Sequence, residues 1–337
     1  MKIKSFDTKN SVLLIAEIGN NHEGDINVAI KMVEAAAQAG VDAVKFQTFQ
    51  TAYFVNPDDT ERVERMKKFE LTAEQFSQLA GVAHDLGLLF ISTPLDMPSV
   101  AVLKPLVDAY KIASGDITFE PLIREVNKQR KPTILSTGAS TLVEVENAYN
   151  WLTAEDHKKN IVQENLAILH CVSCYPAPSE AINLNSLDVL KNNFKLSVGY
   201  SDHTLGINTC LLAVAKGAEI IEKHFTLDKN FSNFRDHQLS SDPDELKRLV
   251  EQVRATEAIL GKAQKKLQMC EEEMLIPIRR SIVAARELSK GNKVEAKDIM
   301  WMRPGNGIKP GNEPLVLNKT LKRNIEIGQA ILLDDIE

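Results

Sequence analysis

Short apolar runs alternate with amphipathic stretches along most of the chain. Such runs, separated by segments of helical periodicity, are typical of parallel strands buried on both faces of a sheet. The strand candidates lie at residues 11–17, 42–47, 88–93, 109–113, 132–136, 166–170, 195–200 and 218–224. Because eight parallel strands close into a barrel, the pattern predicts an α/β fold of the (β/α)8 TIM-barrel type.

Helices are predicted between these strands, and several begin with capping chemistry. A capping side chain is followed three residues later by an acid or amide in the pairs Thr72 and Gln75, Thr141 and Glu144, and Asp242 and Glu245. Pro243 suits a first helical position, where its missing N–H would have no partner. A helix is predicted over residues 243–260, with an apolar face formed by Leu246, Leu249, Val250, Val253 and Leu260.

Two strand-to-helix connections are long, and the chain changes character near its end. Residues 48–71 and 225–241 follow the second and eighth strand candidates, so we expect both on one rim of the barrel, as lids or binding loops. A polar connector and a short segment rich in Gly and Pro come last. We predict a catalytic barrel at 1–262, a linker at 263–280 and a small domain at 281–337.

Composition and charge narrow the classes of function. The 337 residues are 44% hydrophobic and 26% charged, as in a packed globular protein. The net charge of −6 argues against a nucleic-acid or anionic-membrane surface, so an anionic ligand must be held by local cations. The N-terminus lacks the apolar core of a signal peptide, and no run reaches the ~18 apolar residues of a membrane span. We therefore expect a cytoplasmic protein.

The four cysteines are too few and too scattered for a disulfide framework. Cys171 and Cys174 match the C-x-x-C spacing, but a zinc ribbon needs a second such pair, which the sequence lacks. We expect reduced, unpaired thiols, with a redox or zinc role as the alternative.

Almost every predicted strand ends in polar or charged residues that a barrel interior would not otherwise contain. C-terminal strand ends meet on one face of a (β/α)8 barrel, where active sites are built. Polar residues at any single strand end could simply mark a loop, but their recurrence indicates an active site. They are Glu17, Lys45, Gln47, Ser92, Thr93, Lys111, Ser114, Ser136, Thr137, His170 to Ser173, Ser201 to Thr204, Glu222 and His224.

Two lysines from different strands are expected to converge at this face. Lys45 and Lys111 would be surrounded by the hydroxyl groups of Thr93, Ser114 and Ser136. Two ammonium groups with several hydroxyls suit a phosphate, or a phosphate together with a carboxylate. The alternatives are a Schiff-base lysine and an internal ion pair with Glu17 or Asp116. The sequence contains no glycine-rich P-loop, so nucleoside triphosphate binding is not indicated.

Two histidines and two glutamates are further candidates. His203 follows the seventh strand and His224 ends the eighth, so adjacent parallel strands bring them together. Two neutral imidazoles facing one cavity can hold a divalent metal ion, completed by water and substrate oxygens; each could instead be a hydrogen-bonded core residue. Glu222 lies on the same side of its strand as His224 and could assist. Glu17 is the candidate acid, base or water-orienting carboxylate, or else a salt-bridge partner of Lys45.

Nine short segments, in unbroken order along the chain, match the sequence motifs of a known enzyme family. They are AEIGNNHEG at 16–24, VKFQT at 44–48, ISTP at 91–94, YKIASGD at 110–116, ILSTG at 134–138, HCVSCYP at 170–176, GYSDHT at 199–204, EKHF at 222–225 and RPGNG at 303–307. Through these segments the chain closely resembles the bacterial sialic acid synthases. Residues 281–337 resemble the antifreeze-like (SAF) domain that ends those enzymes.

The resemblance implies a reaction and a role for each matching residue. Sialic acid synthases condense phosphoenolpyruvate with open-chain N-acetylmannosamine, releasing phosphate and forming N-acetylneuraminate. By resemblance, phosphoenolpyruvate is held by Lys45, Thr93, Lys111, Ser114, Ser136, Ser173 and Ser201. The catalytic residues are Glu17, Lys45 and Lys111; the sugar is contacted by Gln47, Tyr175, Asp236 and Arg303; manganese or magnesium is bound by His203 and His224. Arg303 reaches into the partner subunit's site, which implies a domain-swapped homodimer.

Two positions depart from the family pattern, and two other functions stay open. Ser173 stands where many members carry Asn, and Asp116 replaces a Glu often found after Ser-Gly. The first alternative is an N,N'-diacetyllegionaminate or pseudaminate synthase, which performs the same reaction on a 2,4-diacetamido-trideoxy hexose. The second is an inactive sugar-binding protein. The complete set of catalytic and metal-binding candidates argues against it; these are Glu17, Lys45, Lys111, His203 and His224.

Overall fold

A computed structural model describes residues 1–154 and 164–337 of the chain. These residues divide into two compact units, Met1–Gly261 and Lys262–Glu337. The first unit contains every strand of the predicted barrel, and the second contains the small C-terminal domain.

Eight parallel strands close into a barrel in the first unit. We number them β1 Leu13–Gly19, β2 Ala43–Thr48, β3 Leu89–Pro94, β4 Ala109–Ile112, β5 Thr133–Ser136, β6 Leu166–Cys171, β7 Ser197–Asp202 and β8 Ile220–His224. Strand β8 pairs with β1, so the sheet has no free edge. Each strand begins and ends within two residues of its predicted position, and the TIM-barrel fold is confirmed.

Helices connect the strands and pack around the outside of the barrel. They are α1 Ile26–Ala39, α2 Thr51–Phe54, α3 Thr60–Phe69, α4 Ala73–Asp85, α5 Met97–Leu103, α6 Glu120–Lys128, α7 Leu142–Thr153, α8 Ser186–Phe194, α9 Asn208–Ala215, α10 Arg235–Leu239 and α11 Pro243–Leu260. Reciprocal capping boxes begin α4 at Thr72 and α7 at Thr141, as predicted. The predicted helix over 243–260 is confirmed as α11, with Asp242 as its cap, but Leu260 lies off the buried face and is exposed.

The alternation of side chains along each strand divides the barrel core into two layers. Inward-pointing side chains such as Leu13, Ile15 and Ala43 fill the interior, whereas outward-pointing ones pack against the helices. Towards the C-terminal strand ends the inward-pointing positions are polar. Glu17 lies two residues after Ile15, and Lys45 lies two residues after Ala43, so both point into the barrel. The polar groups therefore gather at one mouth of the barrel.

The two long connections carry short helices and lie on the rim with the C-terminal strand ends. Residues 48–71 contain α2 and α3, and residues 225–241 contain α10. The rings of Phe69 and Phe234 meet edge to face, with centroids 5.3 Å apart, so the two connections contact each other. An apolar cluster lies at this contact. It consists of Phe49, Val55, Met66 and Phe69, with Phe54, Val63, Leu95 and Phe234 packed against it.

The second unit is a small β-rich domain. Its strands β9 Ser281–Ala284 and β10 Ile299–Met302 pair antiparallel, and a short helix, α12 Leu275–Ile278, precedes them. It has a hydrophobic core of its own, which includes Ile282, Val316 and Ile331.

Across residues 1–154 and 164–337, no helix is long and apolar enough to cross a membrane. All four cysteines lie in these ranges and are free thiols, which confirms the prediction of unpaired cysteines.

Candidate active site

A cavity of about 1280 Å³ opens at the C-terminal ends of the barrel strands. Most of the predicted site residues line it, namely Glu17, Lys45, Gln47, Lys111, Ser114, Ser136, Ser173, Tyr175, Ser201, His203, His224 and Asp236. Thr93 is buried at the end of β3 without lining the cavity, and Arg303 belongs to the second unit.

The strand register explains why these side chains meet. Glu17 on β1 is the register partner of both Lys45 on β2 and His224 on β8. Glu222 on β8 is the register partner of Ser201 on β7. Because partnered residues of parallel strands point to the same side, these side chains converge inside the mouth of the barrel.

Two lysines and two glutamates form a buried charged cluster in the cavity. Lys45 Nζ lies 3.0 Å from Glu17 Oε2 and 3.6 Å from Glu222 Oε2. Lys111 Nζ lies 3.8 Å from Glu222 Oε1, and Ser201 Oγ donates to that same oxygen at 2.8 Å. The ion pair between Lys45 and Glu17 is therefore present. Glu222, which the sequence pattern marked only as an assisting group, contacts both lysines.

Burial shifts the pKa values of this cluster in different directions. It raises the pKa of Glu17 to about 7, because the attraction of Lys45 offsets the lost hydration only in part. Burial also opposes ionisation of Glu222, but Lys111 and Lys45 outweigh it and lower the pKa of that carboxyl. The pKa of Lys111 is lowered by burial, against the opposing attraction of Glu222. Glu17 is therefore the carboxyl of this cluster that titrates near neutral pH.

Serine side chains line the cavity together with Lys111. Lys111 Nζ donates to Ser136 Oγ at 2.6 Å, and Ser114 Oγ accepts a hydrogen bond from the Gly138 N–H at 2.9 Å. A Cβ added at Gly138 would lie only 2.3 Å from Ser173 Oγ and 2.9 Å from Ser114 Oγ. An alanine at this position would therefore displace one or both hydroxyl groups.

The two candidate metal-binding histidines lie together on one side of the cavity. The ring centroids of His203 and His224 are 5.3 Å apart, and Tyr175 packs on His203 at 4.1 Å. His203 Nδ1 lies 2.7 Å from the Val172 carbonyl oxygen, so Nδ1 carries the proton and Nε2 is left to bind a metal ion. Burial lowers the pKa of both imidazoles, which keeps them neutral and able to coordinate.

These donors fit a divalent cation in an open site. Neutral imidazole is a common ligand of first-row divalent ions. His224 Nδ1 is buried and has no hydrogen-bond partner among the described residues. In the described parts of the chain no group of three or more His, Cys, Asp and Glu side chains is arranged to hold a metal ion. Two imidazoles would thus leave coordination positions for water and substrate oxygens.

The outer part of the cavity is lined by the two long connections. Gln47 links it to the charged cluster, because its amide donates to Glu17 Oε1 at 3.4 Å and accepts from Asn20 Nδ2 at 2.8 Å. We call the apolar residues of this part the apolar wall; they are Phe54, Met66, Phe69 and Phe234. Charged side chains lie beside the wall, and these are Arg62, Glu64, Arg65 and Lys68 from α3. The sequence predicted that this connection is a binding loop, but it did not identify these residues as part of the site. A short charged helix has the same pattern as a helix that only faces solvent.

Several polar strand-end residues point away from the cavity, so their expected place in the active site is wrong. His170 Nε2 lies 2.6 Å from the Ile182 carbonyl oxygen, and Ser92 Oγ donates to the Phe46 carbonyl oxygen at 3.1 Å. Asp202 forms an ion pair outside the barrel. Each of these residues is next to an inward-pointing one, and alternation turns it towards the surrounding helices.

Comparison with known proteins gives a consistent result for both units. Residues 32–265 match the NeuB family, and residues 279–337 match the SAF domain. An uncharacterized protein of Methanocaldococcus jannaschii is 43% identical to this chain over 96% of its length and 94% of the relative. The N,N'-diacetyllegionaminic acid synthase of Legionella pneumophila is 38% identical over 99% of this chain and 97% of the relative. The crystal structure of N-acetylneuraminic acid synthetase from Leptospira borgpetersenii is 34% identical, with a TM-score of 0.75, and covers 81% of this chain and 94% of that one.

Proposed function

The chain belongs to the NeuB family, and we propose that it joins phosphoenolpyruvate to the open-chain aldehyde of an acylated amino sugar. The products are a 2-keto sugar acid and phosphate, and the enzyme is a phosphoenolpyruvate-dependent transferase. One observation carries the proposal: a single cavity holds two buried ammonium groups with serine hydroxyls beside a pair of neutral imidazoles.

Phosphoenolpyruvate suits the charged part of the cavity. Its phosphate and carboxylate are both anionic, and Lys45 and Lys111 are buried cations that line the cavity and can neutralise them. The hydroxyl groups of Ser136, which contacts Lys111, and of the other serines that line the cavity add neutral donors, which favours an anion with many acceptor oxygens. We assign to this anion the cavity-lining residues Lys45, Lys111, Ser114, Ser136, Ser173 and Ser201. Thr93, which does not line the cavity, is assigned to it by resemblance alone.

A divalent ion, manganese or magnesium, would be held by His203 and His224. When bound, such an ion acts as a Lewis acid on the aldehyde oxygen of the sugar. The contribution of the chain is to keep both imidazoles neutral by burial and to fix the tautomer of His203 through the Val172 carbonyl group.

Glu17 is assigned to the second half of the reaction. Carbon three of phosphoenolpyruvate forms the new bond to the aldehyde carbon, and positive charge then develops at carbon two. Water adds at carbon two, and the carbon–oxygen bond to phosphate breaks to give the 2-keto acid. A carboxyl with a pKa of about 7 can stabilise that charge, or orient the water and accept its proton. Lys45, 3.0 Å away, holds the carboxylate in place.

The apolar wall bears on which sugar is used. The resemblance to sialic acid synthases implies N-acetylmannosamine, whose carbon six carries a hydroxyl group. A 2,4-diacetamido-trideoxy hexose carries a methyl group there, and a methyl group gains free energy against apolar side chains whereas an unpaired hydroxyl loses it. We therefore propose the diacetamido sugar, a choice also supported by the 38% identity to a diacetyllegionaminic acid synthase. Its polar groups are assigned to Gln47, Tyr175 and Asp236.

A homodimer is part of the proposal. The second unit matches the SAF domain, and by resemblance the partner subunit's Arg303 would enter the cavity and bind the N-acyl group. A guanidinium group offers several donors in a fixed geometry, which suits an amide oxygen.

Phosphate release across a panel of sugars tests the proposed function. We expect release from phosphoenolpyruvate with manganese and the diacetamido sugar, loss of release with a chelator, and a kcat/KM at least ~10-fold above that with N-acetylmannosamine. A preference for N-acetylmannosamine would instead support a sialic acid synthase. If none of the acylated amino sugars in the panel supports phosphate release, the result would support the inactive sugar-binding protein.

A matched pair of variants connects this activity to the cavity. Lys111→Met removes one cavity cation and is expected to abolish phosphate release, whereas Lys128→Met, at an exposed position of α6, is expected to leave it unchanged. Equal activity in both variants would contradict the assigned site.

A further inference from the structure

A buried ion pair lies directly behind the two candidate metal-binding histidines. Asp202 immediately precedes His203, and Lys223 immediately precedes His224. The two residues are register partners on the adjacent strands β7 and β8. Their side chains are 0% and 1% exposed and do not line the cavity, so they point to the opposite side of the sheet from the imidazoles.

The contacts of this pair hold the chain on both sides of His203. Lys223 Nζ lies 2.8 Å from Asp202 Oδ2 and also donates to the Thr204 carbonyl oxygen. Asp202 Oδ1 accepts from the Thr204 N–H at 2.9 Å and from Thr204 Oγ1 at 2.8 Å. One ammonium group on β8 is thus bonded to the residue before His203 and to the residue after it.

The free energy of burying this ion pair indicates that the pair does more than stabilise the fold. A fully buried ion pair loses much hydration free energy, and apolar replacements of such pairs are often neutral or stabilising. A third group, Cys210 Sγ of α9, donates to Asp202 Oδ2 at 3.2 Å, so the carboxylate is held from several directions. Because neighbouring side chains on a strand point in opposite directions, fixing Asp202 and Lys223 outside the barrel also fixes the inward direction of the two imidazoles.

We propose that Asp202 and Lys223 are positioning residues that set the separation and orientation of His203 and His224, and thereby the affinity for the divalent ion. This inference rests on the metal role assigned to the two histidines under the proposed function. Residues that orient metal ligands without touching the metal typically change metal affinity ~10- to 100-fold when they are replaced.

The test compares manganese binding by the wild-type protein and three variants, using calorimetry and the electron paramagnetic resonance of bound manganese. Lys223→Met removes the ammonium group, and the double variant D202N/K223M removes both charges, so that no buried charge is left unpaired. Arg254→Met is the matched control, because it breaks an ion pair with Asp42, at 2.7 Å, next to the opposite, N-terminal end of β2. Circular dichroism establishes that each protein is folded.

Manganese affinity is expected to fall ~10- to 100-fold in Lys223→Met and in the double variant, and to change less than ~2-fold in Arg254→Met. If Lys223→Met does not fold, the double variant alone decides. Wild-type affinity in a folded variant lacking the pair overturns this inference and leaves the proposed function intact. If the wild-type protein binds no manganese, the result contradicts the metal role of the two histidines and therefore also this inference.

Discussion

Replacement of Gly138 by alanine perturbs the assigned anion site with a single methyl group. Built on the existing backbone, the new Cβ would lie 2.3 Å from Ser173 Oγ, 2.9 Å from Ser114 Oγ and 3.0 Å from Cys171 Sγ. Gly138 is not among the residues with positive φ, so alanine strains no backbone torsion there. The effect should therefore come from displaced side chains alone.

The structure sets the size of the effect. Moving Ser173 Oγ from 2.3 Å to an ordinary contact of 3.4 Å displaces this hydroxyl by about 1 Å. That displacement is enough to break a hydrogen bond to phosphoenolpyruvate, and a hydrogen bond to a charged group contributes about 1.5–3 kcal/mol. We therefore expect the Kd for phosphoenolpyruvate to rise roughly 10- to 100-fold.

Titration calorimetry with phosphoenolpyruvate measures this change, and Gly115→Ala is the matched control. Gly115 lines the same cavity, but a Cβ added there would meet no atom within 4 Å. We expect its Kd to stay within ~2-fold of the wild-type value. Unchanged affinity in a folded Gly138→Ala protein, or an equal loss in Gly115→Ala, would refute the placement of the anion beside these serines.

Three further changes test other parts of the site. Because the proposed role of Glu17 needs its carboxylate, and burial raises its pKa to about 7, kcat/KM should fall as pH drops through about 7; Glu17→Gln should lose at least ~100-fold in kcat and show no such limb in its pH profile. His224→Asn should abolish manganese binding in calorimetry, and added metal should not restore phosphate release; retained binding would refute its assignment. Arg303→Ala should raise the KM for the sugar ~10-fold or more without changing the Kd for phosphoenolpyruvate. When Arg303→Ala subunits are mixed and re-associated with Lys111→Met subunits, the mixture should regain activity, because each subunit supplies the residue that the other lacks. Failure to regain activity would argue against the domain-swapped dimer.

The barrel could be predicted from the sequence because its strands are buried on both faces and each appears as one apolar run. The polar strand ends also followed from the sequence, since Glu17, Lys45 and Lys111 occupy positions that a barrel interior would otherwise fill with apolar residues. Sequence alone did not fix which neighbouring polar residue points inward. His170 and Asp202 were grouped with the site, although the register turns both outward.

Other parts of the site depend on distances that no sequence pattern reports. The close contacts that a Cβ at Gly138 would make arise because Ser114 and Ser173, from two other strand ends, both lie against this glycine. The contact of Glu222 with both lysines likewise depends on barrel closure between β8 and β1. The apolar wall comes from two connections distant in the chain, whose short helices carry no long periodic pattern.

We propose that one cavity binds phosphoenolpyruvate and an acylated amino sugar and joins them. The most direct test mixes wild-type protein with phosphoenolpyruvate, manganese and the 2,4-diacetamido-trideoxy hexose, and follows phosphate and the 2-keto acid product in the same sample. We predict that the two products appear in equal amounts and only when both substrates are present. Phosphate formed without the sugar, or sugar binding with no phosphate formed, would contradict the claim.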